Sequence, residues 1–97
     1  MERDGKEKTG YLAMEVLLER AACAQPNALP ELEGRLRHYE LLGIVRPYVA
    51  GLVRYVSERT VQGVRQRFGL LELLDYDVGE ERRLLERKCA SFRPSAA

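Results

Sequence analysis

Within RLRHYELLGIVRP, residues 35–47, two arginines and a histidine fall inside four positions: Arg35, Arg37 and His38, with Tyr39 next. Side chains of these types bind anions. A guanidinium presents a planar fork of donors that grips a phosphate or carboxylate through two hydrogen bonds. Arg46, Arg54, Arg59 and Arg65 follow along the chain. From Arg35 to Arg67 there are seven arginines against two acids, Glu40 and Glu58, a net of +5. Met1 to Gly34 carries seven acids and four bases, and Phe68 to Lys88 six acids and four bases. The overall charge of +1 therefore hides a basic middle third between acidic flanks. Segregation of this kind suits a protein that turns one face toward an anionic partner.

Other chemistries find no residues. There is no nucleophile paired with a base, no pair of carboxylates placed for acid–base work and no glycine-rich phosphate loop, so no enzyme is expected. His38 is the sole histidine, and Cys23 and Cys89, the only cysteines, form no CxxC pair. A zinc site needs about four such ligands, so neither a metal nor another cofactor is expected, and both thiols read as reduced. No apolar run approaches the roughly 20 residues of a membrane span, and no signal-peptide pattern opens the chain, which makes a cytoplasmic protein without membrane contact the expectation.

The 97 residues make one domain with a thin core, since a domain this small buries only about 60–65% of its unfolded surface. Residues 1–9 are polar and read as a flexible N-terminus, and residues 90–97 as a flexible tail, leaving 10–89 as the folded domain. LAMEVLLERAA has helical spacing, and Gln25-Pro26-Asn27 ends that helix. Pro30 suits the first turn of a second helix over about 30–42, with Glu31 and Glu33 favouring its start. Leu32, Leu36, Tyr39 and Leu42 or Leu41 recur at three- and four-residue spacing. Leu36, Leu42 and Ile44 would then fasten this helix to the core. Tyr39 shares the stripe, so its spacing gives it a core role beside a contact role. Gly43 is a natural residue to follow the helix end.

IVRPYVAGLVRYVS is rich in β-branched and aromatic residues around Pro47 and Gly51. It predicts two short strands, a hairpin over about 44–56. Ser57 is a good N-cap for a helix with the stripe Val61, Val64, Phe68, Leu71 and Leu74 or Leu73. Asp75-Tyr76-Asp77 breaks it, and a charged last helix runs from Val78 to Cys89. Helix, turn, helix, hairpin, helix, helix is the order of a winged helix-turn-helix: mainly α, about four helices and a two-stranded wing.

Several segments resemble a known family. Arg37-His38-Tyr39-Glu40 followed by Leu41-Leu42-Gly43-Ile44-Val45-Arg46-Pro47 is similar to the R-Y-Y-E-x-x-G-L-x-x-P signature of the MerR-type winged helix domain. Gly51 to Glu58 resembles its G-Y-R-x-Y-S-E junction, and Leu74 to Val78 stands where the family has L-G-Y-x-L. The likeness covers roughly Tyr11 to Leu85. The chain ends before the long dimerising helix of ordinary MerR regulators, and so looks more like the family's short members, heat-shock repressors and chaperone modulators. The resemblance implies contacts to double-stranded DNA by Arg37 and Tyr39, with Arg35 and His38 beside them. Arg46 and Arg54 would serve the wing, and Arg59 and Arg65 would add phosphate contacts.

Two functions follow as expectations. The first is a small DNA-binding transcriptional regulator with a recognition helix over about 30–42 and a wing over about 44–56. The second is a protein-interaction adaptor of the chaperone-modulator type, which docks a co-chaperone or another protein, including the transcription machinery, and leaves DNA alone. Leu84, Leu85 and Cys89 on the last helix, 78–89, would also serve a small homodimer interface.

Overall fold

The stretch expected to pair as strands is a helix. The computed structural model describes residues 2–92, with side chains from Gly10 onward. Among these residues it contains five helices and no strand: α1 (Glu2–Ala22), α2 (Ala28–Leu41), α3 (Val45–Arg54), α4 (Val61–Leu73) and α5 (Gly79–Phe92). The mainly α expectation holds, and the two-stranded wing over 44–56 does not exist. The reason lies in the spacing. Val45, Tyr48, Val49 and Val53 fall on one side of a helix, and all four are buried together with Val56 just past its end. Burying that stripe outweighs the strand preference of its β-branched members, which is weak and context-dependent. Pro47 sits in the first turn of α3, where a missing N–H leaves no helical bond unmade. The helix opens with Tyr48 N–H donating to the Ile44 carbonyl (3.1 Å), and Tyr55 N–H donates to the Gly51 carbonyl at its end (3.0 Å).

The chain forms two units, Met1–Tyr48 and Val49–Ala97. In the first, α1 and α2 run antiparallel. Arg20 faces Glu31 near their connection (3.5 Å), and Gly10 lies against Ile44 at the far end. A Cβ on Gly10 would run into Ile44 Cδ1, the free end of that side chain, so a larger residue there requires Ile44 to shift. Met14, Leu17, Leu18 and Ala21 of α1 meet the buried stripe Ala28, Leu32, Leu36 and Tyr39 of α2. Tyr48 is buried beside them. Its hydroxyl donates to the Glu15 carboxylate, and its ring lies 5.9 Å from that of Tyr11. Helix α1 begins well before Tyr11, where the apolar spacing starts.

In the second unit, α4 and α5 pair through Val64, Phe68 and Leu71 on one side and Leu85 on the other, with Tyr76 and Val78 of the connection also buried. Two forked ion pairs of opposite sense join them. Arg65 of α4 donates twice to Glu86 of α5 (2.9 and 2.8 Å). Arg82 of α5 donates twice to Glu72 of α4 (3.2 and 2.6 Å) and lies 5.9 Å from the centre of the Phe68 ring. Lys88 of α5 donates to the carbonyls of Val53 (3.0 Å) and Arg54 (2.6 Å). A cation there satisfies terminal acceptors and complements the negative end of the α3 dipole.

Three helices end by one device. Each has a residue in the left-handed region, Ala24 (φ 58°), Gly43 (φ 74°) or Asp75 (φ 64°). In each case the next N–H reaches back five residues: Gln25 to the Arg20 carbonyl (3.2 Å), Ile44 to Tyr39 (3.2 Å) and Tyr76 to Leu71 (2.9 Å). This is the Schellman arrangement. Gly43 stands where the sequence puts it. The start of α4 is corrected: its N-cap is Thr60, and Ser57 N–H donates to the Thr60 hydroxyl (2.8 Å). At the start of α5, Asp77 accepts from Gly79 N–H (2.9 Å). That helix continues past the expected 78–89 to Phe92. The rest of the expected tail, residues 93–97, lies outside the described residues.

Candidate functional site

Helix α2 is built with one face for the core and one for solvent. Its buried positions 28, 32, 36 and 39 follow the helical period, and the next position on that stripe is Gly43, which ends the helix. Arg35, Arg37 and His38 fall off the stripe and are exposed. Arg35 and Arg37 make no ion pair among the described residues. Their neighbours in sequence, Leu41 and Leu42, are also exposed, at 88% and 59%. Leu42 was expected to help fasten this helix to the core. Only Leu36 and Ile44 of that trio are buried. The signal was already in the spacing, since three or four residues after Tyr39 come Leu42 and Gly43, and the turn at Gly43 takes the stripe's end away from Leu42.

The eight expected DNA-contact residues have different fates. Arg35, Arg37 and His38 are brought together by α2. Tyr39 is 7% exposed, packed in the α1–α2 core with its ring 5.7 Å from that of His38, so its core role prevails. Arg46 is exposed in the first turn of α3. Arg54 ends α3 and Arg59 precedes α4; both are exposed and unpaired among the described residues.

Arg65 is committed elsewhere. Its two-point contact with Glu86 raises its pKa, chiefly through the hydrogen bonds, and the same bonds hold the Glu86 carboxyl below its ordinary value. It also lies 3.7 Å from Cys89 Sγ. The Arg65 guanidinium expected to contact phosphate is thus engaged within the chain by the Glu86 carboxylate. Sequence reading could not find it, because the partner stands 21 positions away.

The homodimer face expected on the last helix is largely spent inside the chain. Leu85 is fully buried and Cys89 half-buried, which leaves Leu84 exposed. Cys23 is exposed and unpaired with Cys89. Among the described residues no cluster of three His, Cys, Asp or Glu side chains is placed to hold a metal ion, and no helix is long and apolar enough to cross a membrane.

The arrangement at the end of α2 therefore combines two unpaired guanidinium groups, an imidazole and two solvent-facing leucines. Guanidinium groups recognise carboxylate or phosphate, and exposed leucines gain free energy only by being covered. No protein-family model matches the chain, and no curated protein and no solved structure is significantly similar to it.

Proposed function

We propose that the chain is a protein-interaction adaptor whose docking surface is the C-terminal end of α2. One observation carries this reading: Leu41 and Leu42 are exposed beside Arg35, Arg37 and His38, on a helix whose other face is fully used. An apolar pair framed by cations fits a protein segment with an apolar anchor and acidic neighbours. The leucines supply burial and the arginines orient the partner through charge-assisted hydrogen bonds. This is the adaptor expectation, with its partner defined by chemistry. The reading assigns no reaction to the chain.

The test is selection from a displayed library of random peptides against the native chain and against Leu41→Ser. The expected peptides combine Asp or Glu with Leu, Ile or Phe. They bind Leu41→Ser about tenfold more weakly, a loss of about 1.4 kcal/mol, and they shift the amide resonances of residues 35–42. Peptides that bind the variant equally well would refute the reading.

DNA binding is a second reading, favoured by the unpaired state of Arg35, Arg37, Arg54 and Arg59, and it requires no wing. It predicts that a labelled mixed-sequence duplex binds at low salt, that affinity falls steeply as salt rises, and that Arg37→Ala weakens it. Absence of binding at micromolar protein in low salt eliminates it.

A further inference from the structure

The second unit carries a surface complementary to the one just described. Leu73, the last residue of α4, is 70% exposed. Two positions on, the connection to α5 presents Asp75, and the first turn of α5, which packs against α4, presents Glu80. Both carboxylates are exposed, and neither has an ion-pair partner among the described residues. The nearby Glu72 is engaged by Arg82 (2.6 Å), Asp77 by Gly79 N–H, and Glu81 is half-buried with an interaction inside the chain, so Asp75 and Glu80 are the acids left over. An exposed leucine with two free carboxylates is the chemical counterpart of two exposed leucines with two free guanidinium groups.

We infer that the chain associates with a second copy of itself, the α2 end of one molecule seating on the α4–α5 connection of another. The inference rests on the docking reading of the α2 end and names one occupant for it. Three features of the two patches support the match. Apolar side chains would be covered on both sides, charges of opposite sign would meet, and no internal ion pair would have to break. The two patches are different surfaces, so the contact is heterologous, unlike a twofold dimer in which one patch meets itself. Each patch is small, so the contact belongs among weak, salt-sensitive ones.

Sedimentation equilibrium of the full chain, from about 5 to about 500 µM at low and at moderate salt, tests this. The weight-average mass is expected to rise with concentration and to fall with salt. Arg37→Glu and Glu80→Arg are each expected to weaken association about tenfold. Both positions are exposed, and an unchanged far-UV circular dichroism spectrum confirms that each variant folds. An equimolar mixture of the two variants restores association, because each then offers the other one native contact and one contact with its charges exchanged. A chain that stays monomeric throughout overturns the self-association alone, since the docking reading has its own test in peptide selection. Association that ignores either substitution, or a mixture that fails to recover, overturns it as well.

Discussion

Replacing Ala24 with glycine is expected to stabilise the protein. Ala24 follows α1 at φ 58°, a conformation that costs an L-residue roughly 1–2 kcal/mol through contact of Cβ with the following carbonyl. Glycine escapes that contact, but it loses about 0.4–1 kcal/mol more chain entropy on folding. The methyl group at Ala24 is exposed, so its removal forfeits little packing. The balance is a gain of about 1 kcal/mol, which corresponds to about 4–8 °C in melting temperature for a chain of this size. Gly43→Ala is the mirror experiment. A Cβ there would meet nothing within 4 Å, so its cost is that of the backbone alone, about 1 kcal/mol of destabilisation. Urea denaturation followed by circular dichroism measures both. A neutral or destabilising Ala24→Gly, or a harmless Gly43→Ala, would refute the assignment of these positions as left-handed helix stops.

Leu41→Ser should leave stability within about 0.5 kcal/mol of native, whereas Leu32→Ala, at a site with no exposure, should cost about 2–5 kcal/mol; equal losses in urea titration would place Leu41 in the core. Lys88→Met removes the donor to the Val53 and Arg54 carbonyls. It should cost about 1 kcal/mol, and a helix end left unaffected in amide exchange at residues 53–56 would contradict the contact. Acid stability should depend on Glu86. Its carboxyl is held below the ordinary value by Arg65, so its contribution is complete above the unfolded-state pKa and disappears as pH falls through the folded one. Glu86→Gln should flatten that acid limb in a pH series of urea midpoints, and an unchanged slope would show that the pair contributes nothing.

Helical spacing made much of this fold legible. The stripe Leu32, Leu36, Tyr39 and the stripe Val61, Val64, Phe68, Leu71 predict α2 and α4, and Gly43 predicts the stop between α2 and α3. Helix α3 was misread because its residue types favour strands while their spacing favours a helix, and Pro47 and Gly51 look like turn signals in either case. Proline is harmless in a first turn, so it carried no information against the helix. Ala24 gave no warning of left-handed backbone, whereas Asp75 gave a weak one, because aspartate enters that region more readily than most L-residues. At the candidate site, Arg35, Arg37 and His38 were readable as outward residues from their offset to the buried stripe. Arg65 was not, because an arginine on an outward face looks the same whether it awaits a ligand or already holds a carboxylate from another helix.

The opposed pair of ion bridges between α4 and α5 also fixes alignment. With Arg65 facing Glu86 and Glu72 facing Arg82, sliding α5 by one turn in one direction would set Arg65 against Arg82. Sliding it one turn the other way would set Glu72 against Glu86. Here either one-turn slip brings like charges together, which repel along a helix–helix seam. The sign of four side chains thus reinforces the register that Leu85, the buried residue of α5, selects by burial.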